Sequence, residues 1–416
     1  MLRQKLRNIK IRDILMLIIF VMALGFRTNY YSNEKNISTT IMIICFVVMV
    51  ILDNGLIRIK SSTKYVIWYV IFTGFCALSG SWAIHENNIY VKALFKDIMI
   101  PLIFIILAME MYLRNTQSSV RFFNCIIAAE MITLLRAMIY TPWAKLFGTM
   151  DTRLFGTNLG INYNDITTQI ALVFLMVSYL FYFESKKYRP VLLVLILFLI
   201  ISGSRKALIV SVMGMILFYL INIGENKILL FKRLLIILLV GIIASLILFK
   251  IPIMYEFVGQ KIANVFSTMG QKSTEMSTVD IDHSLHGRAV LREKAREQFY
   301  AHPGKGIGYY CFQYTNSYGL YAHNNYLEIL ADLGLLGFGL YYIMYLIIFR
   351  IAFDMFLRKR RMKSKEYILA FIFIMILMVM EYAQITYIRL FALVPLLTVA
   401  MGMESAKGNM DYVSRQ

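Results

Sequence analysis

The sequence predicts an all-helical protein that crosses a membrane many times, and three observations support this fold class. Of the 416 residues, 59% are hydrophobic and only 16% are charged, whereas soluble domains carry roughly 25% charged residues. Apolar stretches of about 20 residues, the length that spans a bilayer as a helix, recur from one end of the chain to the other. Lysine and arginine collect in alternate connections between these stretches. The sequence therefore excludes a large soluble domain.

The apolar stretches predict about twelve transmembrane helices. The first follows the basic segment 1–12 and shows no small-residue cleavage site, so we expect an uncleaved span rather than a signal peptide. The seventh and eighth spans are separated by a turn at 203–206, because one helix over both would be roughly 54 Å long and the hydrocarbon core is roughly 30 Å thick. The predicted spans are 13–29, 38–56, 65–84, 93–112, 119–140, 165–183, 188–203, 206–223, 232–252, 327–350, 366–383 and 386–403.

The net charge of +19 is explained by membrane topology. In a soluble protein this charge would suggest a nucleic-acid partner, but basic residues of membrane proteins collect on the cytoplasmic side. The segments 1–12, 57–64 and 351–365 carry dense Lys and Arg, whereas the short connections on the other side carry few. We therefore expect both termini in the cytoplasm and no nucleic-acid partner.

A long connection on the predicted outer side divides the chain. It follows the ninth predicted span and precedes the tenth. The predicted organisation is therefore nine spans in 1–252, an extracytoplasmic loop in 253–326, and three spans with a cytoplasmic C-terminus in 327–416. All five histidines fall on the predicted outer side, and four of them lie in this loop. This distribution indicates that function is concentrated there.

Within the loop, the segment HGRAVLREKAREQF (286–299) predicts a helix with three arginines on one face. Arg288, Arg292 and Arg296 follow each other at the spacing of one helical turn. Guanidinium groups bind phosphate oxygens as a fork and keep their charge at physiological pH, which favours an anion site. The competing interpretation is a solvated helix face on which neighbouring glutamates pair with the arginines.

Further cations stand at the predicted outer edge of the membrane. Arg205 lies in the turn between two spans, and a charge at this depth is a candidate functional group. Lys92 and Lys96 share one helix face near the start of the fourth span, where they can neutralise phosphate. The alternative for the lysines is that their stems lie along apolar surface while the ammonium groups reach water.

Aromatic residues concentrate in the last part of the loop, after the glycine-rich turn AHPGKGIG (301–308). That turn lacks the GxxxxGK[ST] pattern of a P-loop, and we expect it to direct the chain back to the membrane. The aromatic residues predict either an interfacial belt or a carbohydrate site, in which rings stack on sugars and phenols bind hydroxyls. They are Tyr309, Tyr310, Phe312, Tyr314, Tyr318, Tyr321 and Tyr326.

The sequence contains little that predicts a metal site. The four cysteines show no CxxC or Cys/His metal spacing, and no carboxylate-rich cluster is evident. For this reason we expect no metal and no cofactor. One alternative stays open, because His283 and His286 have the spacing to hold a cation together.

The tenth predicted span begins at a polar box in the segment HNNYLEILADLGLLGFGLY (323–341). This segment resembles the signature at the end of the large outer loop in the O-antigen ligase and polymerase superfamily, which includes the Wzy-type polysaccharide polymerases. GSRKAL (203–208) is similar to that family's membrane-edge Ser-Arg motif. GRAVLREKAREQFYAHPGKGIG (287–308) is similar to its loop helix and the following Pro-Gly turn. The motifs occur in the family's order, and the layout of spans with one late outer loop also agrees.

The resemblance implies a glycosyltransferase at the outer face of a bacterial cytoplasmic membrane that works without a metal. Its donor would be an oligosaccharide on undecaprenyl pyrophosphate, and its other partners the lipid bilayer and further polysaccharide assembly proteins. Carried over residue by residue, the family's essential arginines are Arg205 and Arg288, and its essential histidine is His323. Many relatives have Ser at the position of His286, so the role of His286 stays open.

The chemistry of these residue types agrees with those roles. A lipid pyrophosphate gains negative charge as the glycosidic bond breaks, and arginines stabilise that charge. The imidazole of His323 can accept the proton of the acceptor hydroxyl. Gly334, Gly337 and Gly339 are expected to let the following helix pack closely against its neighbours and hold His323 in place. The predicted substrate-binding residues are Arg292, Arg296, Asn324, Asn325, Tyr321, Lys92 and Lys96.

Two alternatives stay open. A polymerase transfers the growing chain to another lipid-linked repeat, whereas a ligase of the same superfamily transfers it to lipid A-core. The abundance of Ile, Lys, Asn and Tyr is common in low-GC Gram-positive bacteria, which lack lipid A-core, and this favours a capsular or exopolysaccharide polymerase. A flippase for lipid-linked oligosaccharides predicts charges near the membrane midplane and related halves, whereas the candidate charges here gather at the outer edge.

Overall fold

The computed structural model is helical throughout the part of the chain that it describes. It describes residues 2–26, 32–55, 62–149, 154–156, 158, 162–221, 285–357 and 365–413, with single positions between 229 and 250. Every regular element in these ranges is a helix, which confirms the all-α fold class. Most of the ninth predicted span and most of the long loop, with His283, lie outside the described residues.

Fifteen α-helices are present in the described ranges, with a π-helical turn at Phe95–Met99 between the fourth and the fifth. Short 3-10 turns lie at Ser79–Ser81 and Lys186–Tyr188. The helices are α1 Leu2–Gly25, α2 Ser32–Leu52, α3 Thr63–Leu78, α4 Asn88–Leu94, α5 Ile100–Thr116, α6 Ser119–Ile139, α7 Trp143–Thr149, α8 Tyr163–Phe183, α9 Arg189–Ser202, α10 Arg205–Ile221, α11 Leu285–Ala301, α12 Phe312–Thr315, α13 Asn325–Leu357, α14 Glu366–Glu381 and α15 Leu390–Val413.

Five of the described helices are long and apolar enough to cross a membrane. A shorter apolar helix occupies Lys206–Ile221. The total of about twelve spans predicted from the sequence therefore stays a prediction. The five segments are Glu34–Leu52, Ser119–Ile139, Asn164–Phe183, Asn325–Leu357 and Leu390–Lys407.

The turn between α9 and α10 lies where the sequence predicts it. α9 ends at Ser202, and Gly203 takes a left-handed conformation with φ 58°. Glycine adopts this conformation without the steric cost that a Cβ would add. α10 then begins at Arg205, so the Ser-Arg motif stands at a helix start.

Helix α8 is the centre of the bundle. Every residue from Asp165 to Leu180 is buried, and the helix packs against α6, α9, α10, α14 and α15. A helix that is buried on all sides must satisfy its polar side chains within the protein. The polar groups near its start, described below, therefore belong to a built network.

Helix α13 is broken at Gly334, whose backbone is non-helical with φ 64° and ψ −166°. The break frees backbone groups, and the 303–308 turn binds them. Leu335 N donates to Pro303 O at 2.9 Å, and Gly308 N donates to Asp332 O at 2.8 Å. A Cβ on residue 334 would stand 2.5 Å from the Gly304 backbone, so only glycine fits.

This break corrects the role predicted for the glycines of α13. Gly334 interrupts the helix and receives the glycine-rich turn instead of packing against a neighbouring helix. Gly337 faces the Leu333 side chain of its own helix, and a Cβ at Gly339 would meet nothing within 4 Å. Of these three glycines, Gly334 is the one that contacts the loop backbone.

Two distant segments form a cap at one end of the bundle, which we define as residues 79–90 and 303–316. Ile84 N donates to Ile307 O at 3.0 Å, and Asn87 Nδ2 donates to Tyr309 O at 3.0 Å. Tyr309 N donates to Ser79 Oγ at 2.8 Å. These contacts hold the end of the long loop against the connection between α3 and α4.

Candidate functional site

His323 precedes α13 in a constrained conformation. Its φ is +51°, in the left-handed region that costs a non-glycine residue roughly 1–3 kcal/mol. The side chain is 6% exposed, and its ring centroid is 4.1 Å from that of Tyr321. The backbone on its N-terminal side is fixed because Ala322 N donates to Glu328 Oε2 at 2.6 Å. The fold therefore buries this imidazole against Tyr321 and constrains the backbone that carries it.

The two asparagines of the polar box have structural contacts. Asn324 Oδ1 accepts a hydrogen bond from Leu327 N at 3.0 Å and caps the first turn of α13. Asn325 is fully buried; its Oδ1 accepts from Thr386 N at 2.8 Å, and its Nδ2 donates to Tyr342 Oη at 2.9 Å. The amide oxygens of both residues already accept hydrogen bonds from backbone N–H groups. Substrate binding by either residue stays a prediction.

A buried carboxylate joins α13 to the connection between α14 and α15, which we call the 382–389 turn. Glu381 accepts hydrogen bonds from Tyr342 Oη at 2.9 Å, from Tyr345 Oη at 2.6 Å and from Thr386 Oγ1. Asn325 binds the same turn through the Thr386 and Tyr387 amides. A buried carboxylate is tolerated when it is hydrogen-bonded in this way. The network fixes the 382–389 turn relative to His323.

The arginines of α11 have different surroundings. Arg296 is exposed and pairs with Glu293 at 2.6 Å, as the solvated-face interpretation expects. Arg292 lies over the Tyr382 ring, with Cζ 4.6 Å from the ring centroid, and its Nη2 donates to Tyr382 O at 3.3 Å. Its Nε is buried without a hydrogen-bond partner among the described residues. Burial is the main factor that lowers the pKa of Arg292, with Arg288 and Arg296 adding to this effect.

Four cations converge near the 382–389 turn, and we call them the cationic cluster. Arg288 is an electrostatic neighbour of both Arg292 and Lys206. Asp165, at the start of α8, interacts with Lys206 and Arg389. The three arginines of the cluster keep their charge at physiological pH, and guanidinium groups suit phosphate oxygens. Its members are Lys206, Arg288, Arg292 and Arg389.

A side-chain network fixes the lysine of this cluster. Lys206 donates to Gln384 Oε1, which also accepts from Thr168 Oγ1. Gln384 Nε2 donates to Asp165 Oδ1 at 2.9 Å. The start of α10, the start of α8 and the 382–389 turn are thereby tied together beside α11.

Tyr310 connects the cationic cluster with the His323 loop. Its φ is +63°, and its amide donates to Asp332 Oδ2 at 2.9 Å. Burial raises the pKa of the Tyr310 phenol, while Arg389 lowers that pKa and Glu328 raises it. Glu328 is the carboxylate that holds Ala322, next to His323. Tyr310 therefore lies within electrostatic reach of both parts of the site.

The remaining predicted residues occupy varied positions. Arg205 begins α10 beside Lys206, but its side chain lies outside what the structure describes, as does that of His286. Lys92 and Lys96 are exposed on α4 and the following π-helical turn. The structure thus brings Arg288 and Arg292 into one cluster and leaves Arg296 at the surface; substrate contacts by Lys92 and Lys96 stay predictions.

Sequence reasoning missed Arg389, Gln384 and Tyr382 as members of the site. The missed signal is the polar character of EYAQITYIR (381–389) between two strongly apolar helices. A membrane protein carries such groups where they meet other polar groups.

The arrangement is suited to a substrate with negative charge and an exchangeable proton. The guanidinium groups of the cationic cluster can bind an anion such as a phosphate, and a positioned imidazole can transfer a proton. Among the described residues, no three His, Cys, Asp or Glu side chains cluster in a way that could hold a metal ion.

These features define a class: a helical membrane protein with a cluster of cations and a constrained histidine, each within electrostatic or backbone reach of Tyr310 or its neighbour Glu328. Residues 190–342 match the family described as O-antigen ligase. This match confirms the resemblance to the O-antigen ligase and polymerase superfamily, whose members are glycosyltransferase-like enzymes. It runs from α9 into α13 and includes α11, the loop side of the cap and His323. No curated protein matches the chain.

Proposed function

We propose that the protein is a polysaccharide polymerase. It transfers a glycan from undecaprenyl pyrophosphate to a sugar hydroxyl of another lipid-linked repeat, at the outer face of the bacterial cytoplasmic membrane. The observation that carries the proposal is the cationic cluster, with Arg288 on α11 and Arg389 on the 382–389 turn, linked through Tyr310 to the His323 loop. The family match over residues 190–342 supports the same class of reaction.

In the proposed reaction the cationic cluster binds the donor pyrophosphate. The bond between the anomeric carbon and the pyrophosphate oxygen breaks, and its electron pair moves to that oxygen. Arg288 and Arg205 stabilise the growing charge, which is the usual role of fixed cations at a leaving group. Arg292 contributes a guanidinium whose Nε is buried without a partner among the described residues. We propose that these fixed cations make a metal ion unnecessary.

His323 acts on the acceptor in this proposal. The acceptor hydroxyl oxygen forms the new bond to the anomeric carbon, and its proton passes to the imidazole. Histidine is suited to this step because it can exchange a proton near neutral pH. The left-handed backbone and the Tyr321 ring contact hold the imidazole before the acceptor arrives. Undecaprenyl pyrophosphate leaves, and the glycan is longer by one unit.

A ligase is the second candidate, because the matching family is described as O-antigen ligase. It would use the same donor site and the same proton acceptor but a different acceptor molecule. The two reactions leave different products when the gene is deleted. Loss of a polymerase leaves single repeats on the carrier lipid, whereas loss of a ligase leaves intact polymer on that lipid.

The proposal is tested by complementing the deletion with Arg288→Ala and with Arg296→Ala as the matched control. Both residues are on α11, but Arg288 belongs to the cationic cluster and Arg296 pairs with Glu293 in solvent. We expect single lipid-linked repeats to accumulate with Arg288→Ala and polymer to form with Arg296→Ala, with both variants at wild-type membrane levels. Normal polymer with Arg288→Ala would exclude the proposed donor site.

A further inference from the structure

Three tyrosines from distant parts of the chain form an aromatic platform on the cap. The ring centroids of Tyr90 and Tyr310 are 4.4 Å apart, and those of Tyr90 and Tyr314 are 5.7 Å apart. The Tyr90 and Tyr314 hydroxyls form a hydrogen bond with each other. His85 extends the platform, with its ring 5.8 Å from that of Tyr314.

The cap holds this platform rigidly. Asp332 Oδ1 accepts from Phe312 N at 2.7 Å, and its Oδ2 accepts from Tyr310 N at 2.9 Å. One fully buried carboxylate thus fixes the backbone on both sides of residue 311. The positive φ of Tyr310, which a bulky residue rarely adopts, directs its ring to Tyr90. Strained positions of this kind cluster at functional sites.

The aromatic run of the loop divides into two groups by exposure. Tyr309 is 3% exposed and Phe312 is fully buried, so both belong to the core of the cap. Tyr314 is 44% exposed and offers a free part of its ring surface beside the Tyr90 hydroxyl. The sequence alone did not separate these residues, and it did not associate Tyr90 or His85 with them.

The surroundings of the platform are polar, unlike those of an interfacial aromatic belt. The Tyr310 hydroxyl interacts with the Gln313 side chain and lies within electrostatic reach of Arg389. His85 stands at the opposite edge. Rings that combine an open face with several hydroxyl, amide and imidazole groups are suited to a sugar, which has an apolar face and polar edges.

From this geometry we propose that Tyr90, Tyr310 and Tyr314 form a glycan subsite that stacks on a sugar ring of the lipid-linked repeat. The proposal rests on the proposed function, because Tyr310 places the subsite beside the Arg389 end of the cationic cluster. The platform would orient the oligosaccharide while the cluster binds the pyrophosphate. It is therefore a binding element that contributes affinity for the glycan and not for the lipid.

The experiment uses the glycolipid that accumulates in cells from which the gene is deleted. Mild acid releases its oligosaccharide from the pyrophosphate, and this free oligosaccharide is then an inhibitor that carries neither lipid nor phosphate. Purified full-length protein is assayed for polymer formation with the intact glycolipid as substrate. Inhibition by the free oligosaccharide then reports binding of the glycan alone.

We expect Tyr314→Ala and Tyr90→Ala to raise both the KM for the glycolipid and the inhibition constant of the free oligosaccharide, by roughly tenfold for the loss of one stacking ring. Tyr314→Phe keeps the ring and should change both constants less. The matched control is Tyr300→Ala, since Tyr300 on α11 is 73% exposed and lies outside the platform. It should leave both constants unchanged.

Two results would overturn the subsite. The first is an inhibition constant that is equal in wild type, Tyr314→Ala and Tyr90→Ala. The second is a wild-type enzyme that the free oligosaccharide does not inhibit at any concentration. In either case polymer formation by the wild type would still support the proposed function, whereas a wild type that forms no polymer from the glycolipid would refute that function itself.

Discussion

At the residue scale, His323 combines chemistry and backbone strain in one position. Its φ of +51° is one of the few positive values that the structure gives to a residue other than glycine. The resemblance to the superfamily predicted His323, but the sequence could not predict its left-handed backbone. Beside it, Ala322 N donates to Glu328 Oε2, a contact that also has no local sequence signal.

This strain gives a test that separates folding from chemistry at residue 323. Asparagine tolerates the left-handed region better than most residues, so His323→Asn should reach wild-type membrane levels but form no polymer. His323→Val should lose polymer and also protein, because a β-branched residue is strained there by roughly 1–3 kcal/mol. Immunoblots of membranes and gels of the polysaccharide measure the two effects. Polymer from His323→Asn would remove the imidazole from the reaction.

At the element scale, helix positions follow from hydropathy, whereas helix breaks do not. The span predicted at 366–383 corresponds to α14, Glu366–Glu381, and that at 165–183 corresponds to α8, Tyr163–Phe183. The span predicted at 93–112 lies within a continuous helical stretch from Asn88 to Thr116, in which Phe95–Met99 form a π-helical turn. Hydropathy averages over a window and contains no signal for this turn or for the break at Gly334.

The break in α13 predicts opposite results for two glycines of one helix. Gly334→Ala requires a Cβ 2.5 Å from the Gly304 backbone at a φ of +64°, so we expect a loss of roughly 3 kcal/mol or more. Gly339→Ala meets nothing within 4 Å and should be neutral or stabilising by up to roughly 1 kcal/mol. Thermal unfolding in detergent compares the two variants. Equal midpoints would contradict the contact between the helix break and the 303–308 turn.

At the scale of the whole molecule, the site is built from segments that are far apart in sequence. The cap joins residues 79–90 to 303–316, and the cationic cluster joins α10, α11 and the 382–389 turn. Motif recognition predicted Arg288 and His323 because each lies in a local pattern of residues. It could not predict Arg389, Gln384 or Tyr90, since nothing in their local sequence indicates which distant segment they contact.

The Glu381 network joins α13 to the 382–389 turn, so its loss should lower both the stability of the protein and the yield of polymer. Glu381→Leu leaves the Tyr342, Tyr345 and Thr386 hydroxyls without their buried acceptor, and we expect a loss of roughly 2–4 kcal/mol. Tyr345→Phe removes one hydrogen bond and should cost roughly 1 kcal/mol. Unfolding midpoints and polymer yield are measured together. A Glu381→Leu variant as stable as Tyr345→Phe would show that the network does not hold the 382–389 turn.

The break at Gly334 has a consequence for the proposed reaction, because it would set the depth in the membrane at which His323 stands. Residues 335–357 alone measure roughly 35 Å at about 1.5 Å per residue, enough to cross a hydrocarbon core of roughly 30 Å. The short limb 325–333 is therefore not needed for crossing and can stand among the lipid head groups with His323 at its tip. In the proposed reaction both carrier lipids could then keep their chains in the bilayer, while the growing glycan passes from one pyrophosphate anchor to the other.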